Sequence, residues 1–562
     1  MITPFRTWRL WLVLVALLAL PVLTYWDTIF AHFGLRDDYA VLREVHEEPG
    51  KVTDFCASHA RPIFGWISEV SLRHLSTIHD LQWARLWAAL CAGLAAGGTT
   101  WVLVRQLRWR LATGALVGAL VALLPGMQVL AGWGSCWGHL VGLILGIAGF
   151  AVVERGLQAA RSGGRAIGVV GGWVLVVAGA LTYQSNVLFY VVFIAAALPG
   201  LREESLRARL RWLGMHLAVV CAGLAGAYAM AKGLFASGLF AQSGRVAFEP
   251  ALMHKFFWFL NEPLGNALSF LVINDDSGRT AGWHLLMAAV VLAVIGAGAI
   301  FEGRRHGRMA GWCWAMGLAG LPVLAYAVSL IAAEHWSTYR TIFALTGVLL
   351  VFFVHGLDHV AEWMGGGWTR WLTPVVLGLL VAAGFGLARR QAYNLIALPQ
   401  IKELALIGEG ARQVSPTRLA KVFVVTPDGD DSFAELTYAD EFGSLSTASD
   451  WTPKEMLMDL LRERHPAAGN ARRLFLFATG GKPPAAGKFD VVIDLDQGLE
   501  QEKSRQAELK AAGRLHGWSL FAAWQSLGVE RGQHRWPVFA LLGFGVLVLL
   551  GWRPSMGGRT EG

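Results

Sequence analysis

A chain of 562 residues that is 55% hydrophobic and only 16% charged, with a mean hydropathy of +0.46, is too apolar for a soluble globular protein and reads as a polytopic membrane protein. Its formal net charge of +8 comes from short basic clusters scattered between apolar runs rather than from one basic face, which argues against nucleic acid as a partner. The 5 cysteines, Cys56, Cys91, Cys136, Cys221 and Cys313, are odd in number and lie mostly within apolar runs, so they suggest neither a disulfide framework nor a metal cluster.

Apolar runs approaching the length of about 20 residues that crosses a hydrocarbon core cover residues 10–30, 86–104, 111–131, 139–153, 167–181, 187–199, 213–235, 283–301, 309–331, 342–360, 372–387 and 537–552. They amount to about twelve transmembrane helices. Trp8, Trp26, Trp83, Trp101, Trp283 and Trp552 sit at run ends, where an amphipathic ring suits the headgroup level. The first run follows Arg6 and Arg9 but lacks a small-residue cleavage site, so it is expected to be a retained helix.

Basic clusters at Arg6/Arg9, Arg105–Arg110, Arg155–Arg165, Arg202–Arg211, Arg304–Arg308 and Arg553/Arg559 alternate with basic-poor loops around Asp37, Trp133, Gln184, Glu262 and Glu334. By the positive-inside rule the former face the cytoplasm, as do both termini, and the latter face outward. Cys56, in the first outer loop, is then expected to be open to an impermeant thiol reagent.

Two segments do not belong to the bilayer. Residues 34–82 form a long outer loop, in which Pro62 opens a helical face of Ile63, Trp66, Ile67 and Val70 that suits a helix lying on the membrane surface. From 389 to 535 the composition turns soluble: 421–426, 473–477 and 489–494 read as buried strands, and 400–414 and 453–464 have helical periodicity. The expected fold is therefore an all-α polytopic membrane bundle of about 12 transmembrane helices with a small extracytoplasmic α/β domain near the C-terminus. The bundle occupies 1–388, the α/β domain 389–535, and the last span with a cytoplasmic tail 536–562.

The adjacent carboxylates Asp37 and Asp38 lie just beyond the first span. Two shielded acids this close raise each other's pKa, which suits one of them to act as a general base or both to share a divalent cation. A solvated loop whose aspartate caps the next helix has the same pattern. The turn Asp428-Gly-Asp-Asp431 lacks the spacing and terminal glutamate of a calcium hand and reads as a solvated turn. No Walker loop, dinucleotide fingerprint or zinc-protease helix is present, which disfavours a nucleotide-sugar donor.

Arg36-Asp-Asp-Tyr39 after the first helix, Arg61-Pro62 opening a surface helix, and the long series of spans, with weaker echoes in Leu181-Thr-Tyr-Gln-Ser185 and Tyr339-Arg-Thr341, resemble the GT-C class of membrane glycosyltransferases. Within that class the likeness is to the bacterial bactoprenol-glucose-dependent O-antigen glucosyltransferase family. The architectural likeness covers most of the chain, while sharp motif identity is confined to the first outer loop. The resemblance implies transfer of a hexose from a polyprenyl-phosphate-linked sugar donor to a glycan or lipid-linked acceptor on the outer face of a bacterial inner membrane.

Carried onto this sequence, the resemblance makes Asp38 or Asp37 the base that deprotonates the acceptor hydroxyl, with Asp38 slightly preferred and Asp37 supporting. Arg340 is the first choice for the departing phosphate, because a planar guanidinium meets phosphate oxygens bidentately. Arg61 and Lys255 follow, and Tyr183, Gln184, His59, Glu334 and Tyr339 are candidates for substrate contact. Each of these has an ordinary alternative: an interfacial snorkel for the cations, a turn cap for the neutral groups. A metal requirement stays open. The rival readings are a flippase or transporter of lipid-linked saccharide, or a non-catalytic envelope assembly protein. Charged residues cluster at loop ends rather than in mid-span, which favours chemistry at one surface over passage through a central site.

Overall fold

A computed structural model describes residues 7–201, 205–427, 432–434, 436–466 and 471–511. The span expected at 537–552, the turn Asp428–Asp431 and the C-terminal tail lie outside the described residues. Among the described residues, eight helices are long and apolar enough to cross a bilayer: Leu81–Gln106, Gly134–Leu157, Ser162–Thr182, Gln184–Leu201, Leu206–Ala236, Ala281–His306, Phe343–Met364 and Trp368–Ala411. Each overlaps one of the expected runs. The first run forms a shorter apolar helix, Trp8–Thr24. The run at 309–331 forms the helices Arg308–Ala325 and Ala327–Ile331, which fall outside the eight.

The run at 111–131 is not one straight helix. It breaks into Leu111–Val121 and Pro125–Gly132, bent by 53°, because Pro125 has no N–H to continue the first ladder and disfavours helical geometry at the residue before it. Buried Gln128 compensates, donating to the freed carbonyl of Leu123 at 3.1 Å and to Gln391 Oε1 at 2.9 Å, as a break at membrane depth requires.

Neighbouring spans approach closely where small residues allow it. A Cβ on Gly156 would come within 2.7 Å of the Gly168 Cα, so the helices Gly134–Leu157 and Ser162–Thr182 touch backbone to backbone. Such packing replaces the hydrophobic driving force that lipid does not supply between helices.

The helix Trp368–Ala411 runs for 44 residues, so the boundary expected at 388/389 falls inside a continuous helix. A π-helical stretch, Ala392–Ala397, precedes Pro399 and accommodates the missing donor without ending the helix. Arg389 at this level donates to Asp27 Oδ2 through Nη2 at 2.7 Å and Nε at 3.1 Å, joining the long helix to the end of the first apolar segment. Beyond it, strands β1 (Ala420–Val425), β2 (Phe475–Gly480) and β3 (Val491–Asp494) form a parallel sheet in the order β2-β1-β3. The helix Thr452–Arg464 joins β1 to β2.

The loop of residues 34–82 folds into the helices Asp37–Glu47, Lys51–Ser58 and Pro62–Leu72. Their polarity is inverted relative to a soluble helix: Trp66 and Phe55 are 61% and 60% exposed while Ser68 and Glu69 are buried. This is the arrangement expected of an interfacial helix. On its other side the loop receives the α/β domain, where Arg43 donates to Glu455 at 2.6 Å across the contact between Asp37–Glu47 and Thr452–Arg464.

Candidate functional site

The turn that carries Asp37 and Asp38 is built by backbone capture. Buried Arg85 points back at the preceding segment and donates to the carbonyls of Ile29, Ala31 and Phe33 at 3.0, 2.5 and 2.8 Å. The Tyr39 hydroxyl donates to the Gly34 carbonyl at 2.9 Å and accepts the Gly34 N–H at 3.1 Å, and a Cβ at that glycine would crowd the Tyr39 ring at 3.0 Å. Asp38 is then fixed: its carboxylate accepts N–H groups from Leu35 at 2.9 Å, Gly134 at 3.2 Å and Ser135 at 2.6 Å. Burial raises its carboxyl pKa, and the N–H bonds of Leu35 and Ser135 oppose that rise.

Asp37 is placed differently. Its side chain accepts no hydrogen bond from the described residues, and it remains solvent-accessible. The surrounding protein raises its pKa, against the pull of Arg340, Arg36, Arg245 and His59. Adjacent in sequence, one carboxylate is tied into the fold and the other faces cations. Three of the roughly four acceptor sites of the Asp38 carboxylate are thus taken by backbone N–H groups, and those of Asp37 are left open to the cavity's cations.

The cations near Asp37 belong to a cavity of about 440 Å³, within the range of ligand sites. Its lining combines apolar side chains, among them Leu224, Ala227, Phe248, Val328 and Ile331, with the polar groups of Arg61, Arg245, Arg340, His59, Gln184 and Glu334. Arg61 lies 4.6 Å from the centre of the Tyr183 ring and donates to Gln184 Oε1 at 3.0 Å, while Gln184 donates to the Ala60 carbonyl at 3.0 Å. Arg340 lies 4.5 Å from the centre of the Trp133 ring. Arg245 pairs with Glu334 at 3.0 Å. His59 uses Nδ1 at the Phe55 carbonyl, 2.8 Å away, so Nδ1 carries the proton and Nε2 meets the Ser243 hydroxyl at 3.2 Å. Burial depresses its pKa, favouring the neutral imidazole.

The loops expected on one side thus come together: those of Asp37, Trp133, Gln184 and Glu334 meet around the cavity, and the fifth joins through the bond from Ser337 to Glu262. Of the residues expected to bind substrate, Arg340, Arg61, Tyr183, Gln184, His59 and Glu334 line the cavity. Lys255 does not. Its buried ammonium donates to the Glu334 carbonyl and stands over Trp258, which ties it to the 334 loop. Tyr339 is also removed from the cavity; its hydroxyl accepts the Asn274 N–H at 2.8 Å and its ring packs on Tyr438 and Phe442.

Arg245, Tyr228 and Trp336 line the cavity and are absent from the sequence-based candidates, as is Glu441 behind Arg340. A signal for Arg245 was present: like Arg61 and Arg340 it is a cation in loops otherwise poor in basic residues. The acidic pair does not fit a shared cation, since the Asp38 oxygens already accept N–H groups, and among the described residues no three His, Cys, Asp or Glu side chains gather in a metal-binding group.

The chain matches no protein-family profile, and no curated protein sequence matches it either.

Proposed function

We propose that the protein is a membrane glycosyltransferase that moves a hexose from a polyprenyl-phosphate sugar to a hydroxyl acceptor at the outer face of a bacterial inner membrane. The single observation that carries this reading is the make-up of the cavity: apolar side chains together with three guanidinium groups, with the unbonded carboxylate of Asp37 in electrostatic reach of Arg340 and Arg245. A lipid-linked phosphate ester has the same two parts, a hydrocarbon chain and an anion.

In this scheme the acceptor oxygen attacks the anomeric carbon as the bond from that carbon to the phosphate oxygen breaks. Asp37 takes the acceptor proton, and the polyprenyl phosphate leaves with the bonding electron pair, its charge met by Arg340, Arg61 and Arg245. Asp38 supports the reaction by fixing the turn. A transporter of lipid-linked saccharide is less favoured, because the charged residues lining the cavity, Arg61, Arg245, Glu334 and Arg340, lie in sequence between the apolar spans and not within them.

The test is reconstitution in liposomes with a polyprenyl-phosphate hexose labelled in the sugar. Label covalently joined to an added glycan or lipid-linked acceptor supports the reading. Movement of intact labelled lipid between leaflets without transfer assigns the protein to transport.

A further inference from the structure

Behind Arg340, on the side away from the cavity, stands a carboxylate from the C-terminal α/β segment. Glu441 has no solvent-accessible side-chain surface. Its Oε2 accepts the Tyr339 N–H at 2.6 Å, and its Oε1 accepts the Arg340 N–H at 3.4 Å and faces the Arg340 Nε at 3.5 Å. One residue earlier, Asp440 pairs with Arg36 at 2.9 Å, and Ser446 Oγ accepts the Arg36 N–H at 2.8 Å. Two stretches of the membrane bundle, each next to a proposed reacting group, are therefore held by the same piece of chain. The joint is also where left-handed backbone concentrates in non-glycine residues: Arg36, Ala439 and Asp440 have φ of 45°, 42° and 66°. Conformations this costly persist only where the surroundings over-determine them.

We infer that the segment Tyr438–Ser446 is a clamp that completes the transfer site, with Glu441 as a positioning residue for Arg340 and Asp440 as a positioning residue for the Arg36–Asp37 turn. The inference rests on the transferase reading and assigns the α/β domain a part in it: the domain shapes the anion-binding end of a cavity whose walls belong to the bundle. Burying Glu441 raises its carboxyl pKa to about 7 despite the attraction of Arg340, so the arrangement is not one that stability alone would select.

A buried carboxylate beside an arginine has a simpler role as counter-charge, and the two roles predict opposite outcomes. If Glu441 only neutralises Arg340, Glu441→Gln frees the guanidinium and tightens anion binding. If it positions Arg340, the same change weakens binding. The probe is a long-chain polyprenyl monophosphate titrated into the detergent-purified full-length protein, alongside hexose transfer. We expect Glu441→Gln to bind it about tenfold more weakly, and the double variant with Arg340→Lys to be no weaker than the weaker single one, as coupled groups require. Equal or tighter binding by Glu441→Gln overturns the inference.

Asp440 is 47% exposed on its side chain and tolerates replacement more readily, so Asp440→Asn tests the other jaw. It is expected to lower kcat about threefold while changing binding less; unchanged kcat overturns that half. A wild-type chain that binds the monophosphate but transfers no hexose removes the transferase reading and leaves the Glu441 result to stand. A wild-type chain that does not bind it overturns both.

Discussion

The central carbon of the Arg340 guanidinium sits over Trp133, 4.5 Å from the ring centre, while its Nε faces Glu441 Oε1 at 3.5 Å. A loop ahead of one span and a loop between two others are joined by that one side chain, at the edge of the cavity. Arginine is suited to the position because its planar fork stacks on an aromatic face and still presents donors on its edge, which an ammonium does not. Arg340→Ala is expected to raise the KM for the polyprenyl-phosphate donor by about tenfold or more, with Arg340→Lys between it and wild type, as for a lost charge-assisted contact. Steady-state kinetics with varied donor check this; an alanine variant with wild-type KM assigns Arg340 to anchoring.

Asp37 and Asp38 should separate in their effects on stability. Replacing Asp38 by Asn turns one acceptor oxygen into an N–H donor, which faces either the Ser135 N–H or the N–H groups of Leu35 and Gly134. A loss of about 3 kcal/mol is expected from such an unsatisfied buried cluster. Asp37→Asn breaks no hydrogen bond to the described residues and should stay within about 1 kcal/mol of wild type. Thermal unfolding of both variants in detergent decides; equal destabilisation contradicts the division of roles.

Much of this architecture is legible in the chain because the dominant signal, runs of apolar residues, is local. Eight helices and the bent pair fall on the expected runs, and the three strands overlap those read from 421–426, 473–477 and 489–494. What is not legible depends on contacts between distant residues. Nothing near Asp38 announces that its carboxylate will meet amides of Gly134 and Ser135, or that its neighbour will be left unbonded. Lys255 and Tyr339 have the chemistry of ligand-binding residues, but the fold uses them against Glu334 and Asn274. Glu441 lies in a segment whose polar composition reads as solvated and is nonetheless fully buried. Cys56 shows the converse: the expected accessible thiol is buried, and burial pushes its pKa up to about 12.

That burial moves the topology test one residue. Phe55 is 60% exposed, so Phe55→Cys in a background with Cys221 and Cys313 replaced by Ser is the better reporter. Labelling by an impermeant maleimide in intact spheroplasts is expected, since the loop is assigned outward by the distribution of basic residues. Labelling only after lysis reverses the orientation.

Glu441 supplies a pH signature. Burial raises its pKa from the ordinary glutamate value of 4.5 to about 7, so the fold favours the neutral acid. The corresponding stability is complete below pH 4.5 and is lost as pH rises to about 7, a difference on the order of 3 kcal/mol. Glu441→Gln removes the titration. The stability of the variant relative to wild type should therefore rise between pH 5 and pH 8, even as its donor binding weakens. Thermal scans of both proteins across that window are the measurement, and a constant difference contradicts the assignment.

The central claim is that Asp37 takes the acceptor proton while a lipid-linked anion sits among Arg340, Arg61 and Arg245. Its most direct test is single-turnover hexose transfer from a polyprenyl-phosphate sugar by wild type and Asp37→Asn, with donor binding measured in the same preparations. Asp37→Asn is expected to bind donor normally and to lose transfer by about a hundredfold or more, the scale of general-base catalysis. An Asp37→Asn variant that binds donor and transfers hexose at the wild-type rate contradicts the claim.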